Sequence, residues 1–264
     1  MKLGIIGLGN MGGAILGGIV SKGIVDVNDI VGFDVSETMR QNAASKYKIK
    51  TVSGNEEVID EADAVILAVK PQYMGDMLSE LKNKWSDKTV IISIAAGKTL
   101  DWLGQNIGYE RKIVRCMPNT PALIREGCTG VCHNDAVGAE DFELALKLLG
   151  SFGKTIEVNE NQMDAVVGIS GSSPAYVFMF IEALADAGVK AGLTRDKAYE
   201  FAAGAVRGSA ALMEETGMHP GQLKDMVCSP AGTTIAAVEV LEEGGFRGLV
   251  MDAVDACVRR NREL

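Results

Sequence analysis

The sequence is short of the residues that metal and base chemistry need. It has two histidines and five cysteines in 264 residues. The cysteines, Cys116, Cys128, Cys132, Cys228 and Cys257, are odd in number and scattered. That argues against a disulfide framework and for reduced thiols in a cytoplasmic protein. Cys128, Cys132 and His133 approach a haem-attachment pattern, but three residues separate the cysteines where that motif needs two. No other Cys or His pair stands at ligand spacing, so no metal is expected. Basic charge is in deficit as well: 26 Lys and Arg against 35 Asp and Glu give a net charge of −9. The deficit runs through both halves of the chain, which speaks against a nucleic-acid partner. A membrane-length apolar run is missing too. Leu3 to Val20 carries no charge, yet seven of its eighteen residues are glycine and Asn10 interrupts it. A strand, a tight turn and a helix account for it better than a span or a signal segment, so no membrane is expected.

What is present reads as an ordinary globular chain, 47% apolar and 23% charged, long enough to bury a real core. Residues 1–160 alternate short apolar runs with helical patterns. The runs predict strands at Lys2–Gly7, Ile30–Phe33, Ala64–Ala68, Val90–Ile94, Ile113–Cys116, Thr129–His133 and Lys154–Glu157. Helical stretches fall between them near Met11–Ser21, Glu37–Lys46, Gln72–Lys82, Leu100–Gln105 and Ala139–Leu149. Such alternation predicts an α/β unit with a mostly parallel sheet covered on both faces. Residues 161–264 are helical throughout. Ser173–Ala191 is expected to open on a Ser173 N-cap with Pro174 in its first turn, and only a narrow polar stripe crosses it. Thr194–Glu215 is dense in small residues, among them Gly204 and Gly208, which a close helix–helix approach would compensate. Further helices are expected at Pro220–Val227, Ala231–Glu242 and Phe246–Arg260. This second segment holds more apolar surface than one small bundle can hide, which implies a partner chain.

Gly7-Leu8-Gly9-Asn10-Met11-Gly12 fits G-x-G-x-x-G between an apolar strand and a helix. Gly7 would permit the turn, Gly9 the approach of a pyrophosphate, and Gly12 the packing of helix on strand. The pyrophosphate would sit on free N–H groups at the helix start. Asp34 ends the second strand, twenty-two residues after Gly12. A carboxylate there accepts a ribose 2′-hydroxyl and repels a 2′-phosphate, which favours NAD; Ser36 and Arg40 offer a route to NADP. Ala68-Val69-Lys70-Pro71 and Ile94-Ala95-Ala96-Gly97 end two further strands, where open parallel sheets bind ligands. Lys70 either contacts the cofactor or is a solvated lysine at a strand end.

Three more segments are too specific for architecture alone: Arg115-Cys116-Met117-Pro118-Asn119-Thr120-Pro121, Gly168-Ile169-Ser170-Gly171-Ser172-Ser173-Pro174, and Cys228-Ser229-Pro230-Ala231-Gly232-Thr233-Thr234. In the third, a helix starting at Pro230 on a Ser229 cap would leave the N–H groups of Ala231, Gly232 and Thr233 for a carboxylate. With these motifs, and with His219-Pro220-Gly221-Gln222-Leu223-Lys224-Asp225, the chain resembles the pyrroline-5-carboxylate reductases along nearly its whole length. The resemblance implies a Rossmann-type domain (1–160) and an all-helical domain (161–264) for substrate binding and dimerisation, with dimers in the family often assembling into decamers. It implies that NADP or NAD is the hydride donor and that Asn55 and Ala68–Pro71 border it. It implies that Ser229, Gly232 and Thr233 hold the carboxylate of 1-pyrroline-5-carboxylate, and that Thr234 bonds its ring nitrogen. Ser173 and Ala231 stand where many members have glycine.

A protonated imine needs no strong general acid during reduction, which suits a chain whose two histidines, His133 and His219, read as structural. A β-hydroxyacid dehydrogenase shares the glycine motif but uses a lysine on the following helix, and none occurs here from Gly168 until Lys190. A protein that only senses a dinucleotide would leave Ser229–Thr234 without a purpose.

Overall fold

The computed structural model describes residues 1–60 and 62–263; Glu61 and Leu264, which fall within the two domain ranges drawn above, lie outside the described residues. Two compact units are present: Met1–Ser172 together with Cys257–Leu264, and Ser173–Ala256.

The first unit is built on an eight-stranded sheet. Its strands are β1 (Leu3–Ile6), β2 (Ile30–Phe33), β3 (Lys50–Thr51), β4 (Ala64–Leu67), β5 (Val90–Ser93), β6 (Lys112–Met117), β7 (Gly127–His133) and β8 (Gly153–Glu157), in the order β3-β2-β1-β4-β5-β6-β7-β8. Every residue of β1, β4 and β5 is buried, as near-continuous apolar runs require when helices cover both faces. The covering helices are α1 (Asn10–Ser21), α2 (Glu37–Tyr47), α3 (Asn55–Ile59), α4 (Pro71–Glu80), α5 (Leu100–Ile107) and α6 (Ala139–Leu149). One core, around Ile5, Ile15, Leu16, Ile66 and Phe152, fills one side of the sheet; a second, around Ile6, Leu67, Met74 and Leu78, fills the other. Pairing is parallel except at β6–β7. Only a tight connection through a 3₁₀ turn (Thr120–Ile124) joins those two strands, too short for a crossover, so they must run antiparallel. The helix between β7 and β8 restores parallel pairing. β3 and α3 are additions to the expected elements. Two and five residues long, they are too short for a hydrophobic period to announce.

Residues Glu160–Lys190 form one helical run. It opens on an Asn159 cap, whose N–H donates to Gln162 Oε1 at 3.0 Å. It then passes through α7 (Met163–Val166) and a π-turn (Val167–Gly171) into α8 (Ser173–Lys190). The expected Ser173 cap is therefore absent. The Ser172 N–H reaches back five residues to the Val167 carbonyl at 2.9 Å, which carries the backbone ladder past Pro174, a residue with no N–H to give. The chain end returns to the first unit, where Asn261 Nδ2 and Arg262 Nε donate to the Asp164 carboxylate at 2.9 and 2.8 Å.

The second unit comprises α8, α9 (Arg195–Thr216), α10 (Pro220–Val227), α11 (Thr233–Glu243) and the greater part of α12 (Phe246–Asn261). α8 and α9 pack where Gly188 lets Ala198 approach: a Cβ added at Gly188 would stand 3.2 Å from the Ala198 Cβ. The buried apolar residues of this unit are Ala185, Ala198 and Ala202, all small. The large ones face outward: Phe178, Met179, Phe201, Val240 and Met251 are each 61–69% exposed. Gly204 and Gly208 meet nothing within 4 Å, so the close approach expected of them is not made within this chain. By length and composition the Glu160–Lys190 run could cross a membrane, and little of its apolar window is buried inside the chain.

Candidate functional site

Strand register lines up one edge of the sheet. Phe33, Ile6, Leu67, Ser93 and Arg115 form a row across β2, β1, β4, β5 and β6. The residues that follow the first four, Asp34, Gly7, Ala68 and Ile94, therefore begin the loops at the carboxyl ends of their strands, while β6 runs on to Met117. Here the chain order reverses about β1, where doubly wound sheets open a crevice.

The three motif glycines meet three different constraints. Gly7 has φ +96°, and a Cβ there would lie 2.5 Å from the Ala68 carbonyl oxygen. Gly12 is pressed on Gly7, whose carbonyl oxygen would stand 2.0 Å from its added Cβ. At Gly9 an added Cβ would meet nothing within 4 Å, and the residue faces a cleft of about 700 Å³. A side chain at Gly9 would thus take space from a ligand and from nothing else. With Gly9 as N-cap, α1 presents its first N–H groups to that space. This cradle fits a dinucleotide pyrophosphate.

Asp34 is held from both sides. Its Oδ2 accepts the Leu8 N–H at 2.8 Å and its Oδ1 accepts the Ser36 N–H at 2.9 Å. Arg40 reaches the Asp34 carbonyl at 2.6 Å and lies over the Phe33 ring. The carboxylate is thereby tied to the glycine turn, with lone pairs left over for the cleft.

Of the residues expected at the cofactor, Gly7, Gly9, Asp34, Asn55, Ala68, Val69 and Lys70 line the cleft. Leu8 gives its N–H to Asp34 while its side chain joins the core, and Met11 packs against that core. Asn10 opens α1, and Pro71 takes the first position of α4. Ile94, Ala95 and Ala96 follow β5 on the same sheet edge but do not line the cleft. Among the lining residues that were not expected, Tyr73, Asp76, Met77 and Glu80 come from one helix, α4. Their spacing of three and four is one stripe of α4, a period visible in the sequence once the helix is known to follow a ligand-binding strand end. Glu80 Oε2 accepts the Asn55 Nδ2 at 3.2 Å. Ser53, also in the wall, gives its hydroxyl to Glu57 at 2.6 Å. That bond, with the Ser53 N–H, holds the Glu57 carboxyl below its ordinary value.

The Arg115–Pro121 segment is braced by its neighbours. Buried Arg115 donates to Glu160 Oε1 at 2.8 Å, and the same oxygen accepts the Leu100 N–H at 2.6 Å. Asn119 takes the Cys128 N–H on Oδ1 at 2.8 Å and donates to Ser170 Oγ at 3.3 Å. Ser170 in turn donates to the Cys128 carbonyl at 3.1 Å. Burial pushes the Cys116 thiol far up. Burial, with the Glu160 charge adding to it, raises Cys132 to about 11.

In the second unit, the Ser229–Thr234 segment departs from the expected helix start. The Gly232 N–H bonds the Ser229 carbonyl at 3.0 Å, Pro230 and Ala231 form the corner, and Ala231 takes φ +55°. A corner with Pro followed by a positive φ has the type II pattern. Gly232 is the N-cap, so α11 begins at Thr233 rather than at the expected Ala231. The N–H groups without a helical partner are those of Thr233, Thr234 and Ile235; the Gly232 N–H is spent on the turn. Gly232 also has no room for a side chain, since its Cβ would meet Ser229 Oγ at 2.3 Å. Thr234 is half-buried in the first turn. His219 caps α10, its Nδ1 accepting the Gly221 N–H at 3.1 Å, and His133 bonds the Asn134 carbonyl and packs its ring at a tilt against Phe142. Among the described residues no cluster could hold a metal ion.

A pyrroline-5-carboxylate reductase dimerisation family matches residues 160–264, and an NADP oxidoreductase, coenzyme F420-dependent family matches residues 2–97. The chain is 48% identical to pyrroline-5-carboxylate reductase of Escherichia coli, over 100% of this chain and 98% of that one. Among solved structures, the pyrroline carboxylate reductase of Plasmodium falciparum with NADP bound superposes with a TM-score of 0.90 at 35% identity, covering 100% of this chain and 97% of the other. A pyrroline-5-carboxylate reductase from Coxiella burnetii gives 0.93 at 35% identity, covering 99% and 97%.

Proposed function

The chain belongs to the pyrroline-5-carboxylate reductase family, and from that membership we propose how its residues divide the work. It reduces the C=N bond of 1-pyrroline-5-carboxylate to give proline, with NAD(P)H as donor. The observation that carries the reading is a full-length likeness at 48% identity in a chain with an open glycine cradle. The dinucleotide, when bound, supplies the hydride.

The protein's own part is to hold and orient. The substrate carboxylate is bound by the Ser229 hydroxyl and the free N–H groups at the start of α11, where the helix dipole favours an anion. Gly232, lacking a side chain, keeps that corner open. The Thr233 and Thr234 hydroxyls flank it, and Thr234 bonds the ring nitrogen. The imine takes its proton before reduction, so no strong acid is required of the site.

Both dinucleotides remain chemically compatible with the fold, and Asp34 favours NAD. Its carboxylate is fixed by two N–H groups and offers acceptors to ribose hydroxyls, whereas a 2′-phosphate there meets like charge. The exposed apolar faces of α8, α9, α11 and α12 are covered by a second copy of the chain, at least as a dimer, with a decamer as the larger assembly. The free cysteines suit a cytoplasmic setting. Neither a nucleic acid nor a membrane is proposed as partner.

The direct test is oxidation of NADH and of NADPH, side by side, with 1-pyrroline-5-carboxylate, set against reduction of NAD and of NADP with a 3-hydroxy acid. Turnover confined to the imine supports the assignment. Turnover of the hydroxy acid alone would overturn it.

A further inference from the structure

The acceptor for the 2′ end of the dinucleotide has so far been one residue, Asp34. The opposite wall of the cleft adds a second carboxylate. α4 turns residues 73, 76, 77 and 80 into the cleft, and two of these are acidic. Glu80 is occupied by the Asn55 amide. Asp76 is exposed and, among the described residues, has no hydrogen bond or ion pair. Among the described residues, Lys70 is the single cation lining the same space. An unpaired carboxylate has little structural use on a cleft wall, but it sets the charge that a ligand meets there.

We propose that Asp76 is a second specificity-determining residue for the dinucleotide, biasing the cleft against a 2′-phosphate and toward NADH. This rests on the NAD(P)H-dependent reading above but not on which dinucleotide the wild type prefers. Asp34 acts at hydrogen-bond range from the end of β2. Asp76 acts through space, from a different element. A cleft of about 700 Å³ is about 9 Å on an edge, slightly more than the Debye length of about 8 Å at physiological salt but well inside the roughly 30 Å of 0.01 M salt, so at low ionic strength the field of Asp76 reaches a phosphate across it. Removing one negative charge about 9 Å from a dianion in water is worth about fivefold in affinity, and reversing it about twentyfold.

The test is equilibrium binding of NADH and NADPH to the full-length protein, read by nicotinamide fluorescence, for wild type, Asp76→Asn and Asp76→Lys. The readout is the ratio of the two Kd values relative to wild type, in which every charge the two dinucleotides share cancels. At low ionic strength the ratio should move toward NADPH by about fivefold for Asp76→Asn and about twentyfold for Asp76→Lys. Both shifts should shrink at high ionic strength, which a merely structural role would not do. An unmoved ratio in Asp76→Lys, or a shift indifferent to salt, overturns the proposal. A wild type that itself prefers NADPH would instead remove the NAD preference read from Asp34, while the variant-to-wild-type shift still decides the role of Asp76.

Discussion

Gly9→Ala separates the demands of the fold from those of the ligand. Gly9 sits at φ −68° and ψ −161°, a conformation open to alanine, and its missing side chain points at empty space. The exchange should leave the native protein unstrained. The gain of about 0.4–1 kcal/mol from a narrower unfolded ensemble is offset by the poorer N-cap that alanine makes for α1, so Tm should stay within about 2 °C of wild type. The same methyl occupies the position from which the backbone meets the pyrophosphate. Loss of one or two charge-assisted hydrogen bonds of about 1.5 kcal/mol each raises the dinucleotide Kd by about tenfold to a hundredfold. Thermal unfolding and a fluorescence titration with NADH and NADPH measure the two effects separately. A variant of unchanged Tm and unchanged Kd would refute the placement of the pyrophosphate at this turn. Gly12→Ala is the opposite case. Its methyl would meet the Gly7 carbonyl oxygen, a backbone atom that cannot move aside, so a loss of about 1–3 kcal/mol or more is expected before any ligand is added. If Gly12→Ala unfolds at the wild-type temperature, the packing argument fails.

Three further outcomes follow from the same geometry. Thr234→Ala should lower kcat/KM for the imine by about tenfold, one hydrogen bond of about 1.5 kcal/mol, with dinucleotide Kd unchanged; wild-type kinetics would remove Thr234 from the mechanism. Ala231→Gly should raise stability by about 1 kcal/mol, measured from the denaturant midpoint, because φ +55° strains any side chain; a loss would show that the strain is not there. Stability should fall as pH rises from 9 toward 11. In that window the unfolded Cys132 thiol has released its proton while the native one, raised to about 11 by burial, still holds it. Cys132→Ala should flatten part of that fall, and an unaltered slope would assign the loss elsewhere.

The mostly parallel order of the sheet was legible because β1, β4 and β5 are short, largely apolar runs separated by helical periods. The glycine cradle was legible because its three demands fall within six residues. The helix boundaries were less so. Ser173-Pro174 has the look of a helix start, yet the π-turn before it carries the helix through, and nothing local distinguishes the two. Ser229-Pro230 has the same look, and there the turn closes on itself and the helix waits until Thr233. In both cases the partner of one N–H group decides, Val167 for Ser172 and Ser229 for Gly232. The cleft wall on α4 was missed because Tyr73, Asp76, Met77 and Glu80 form no motif, and only the placement of that helix beside the glycine turn makes them a wall.

Composition, period and glycine spacing were by themselves enough to determine the order of the sheet and helix elements apart from the short β3 and α3, the dinucleotide turn and the surplus of apolar surface in the second unit, because each depends on residues near one another in the chain. Tertiary structure alone decided that the Asp34 carboxylate grips the Leu8 N–H, that Asp76 stands unpaired in the cleft, and that, among the described residues, nothing comes within 4 Å of a side chain built at Gly204 or Gly208. Those are facts about which groups become neighbours through space, and hydrogen bonds and unscreened charge act at a few ångströms whatever the distance in sequence.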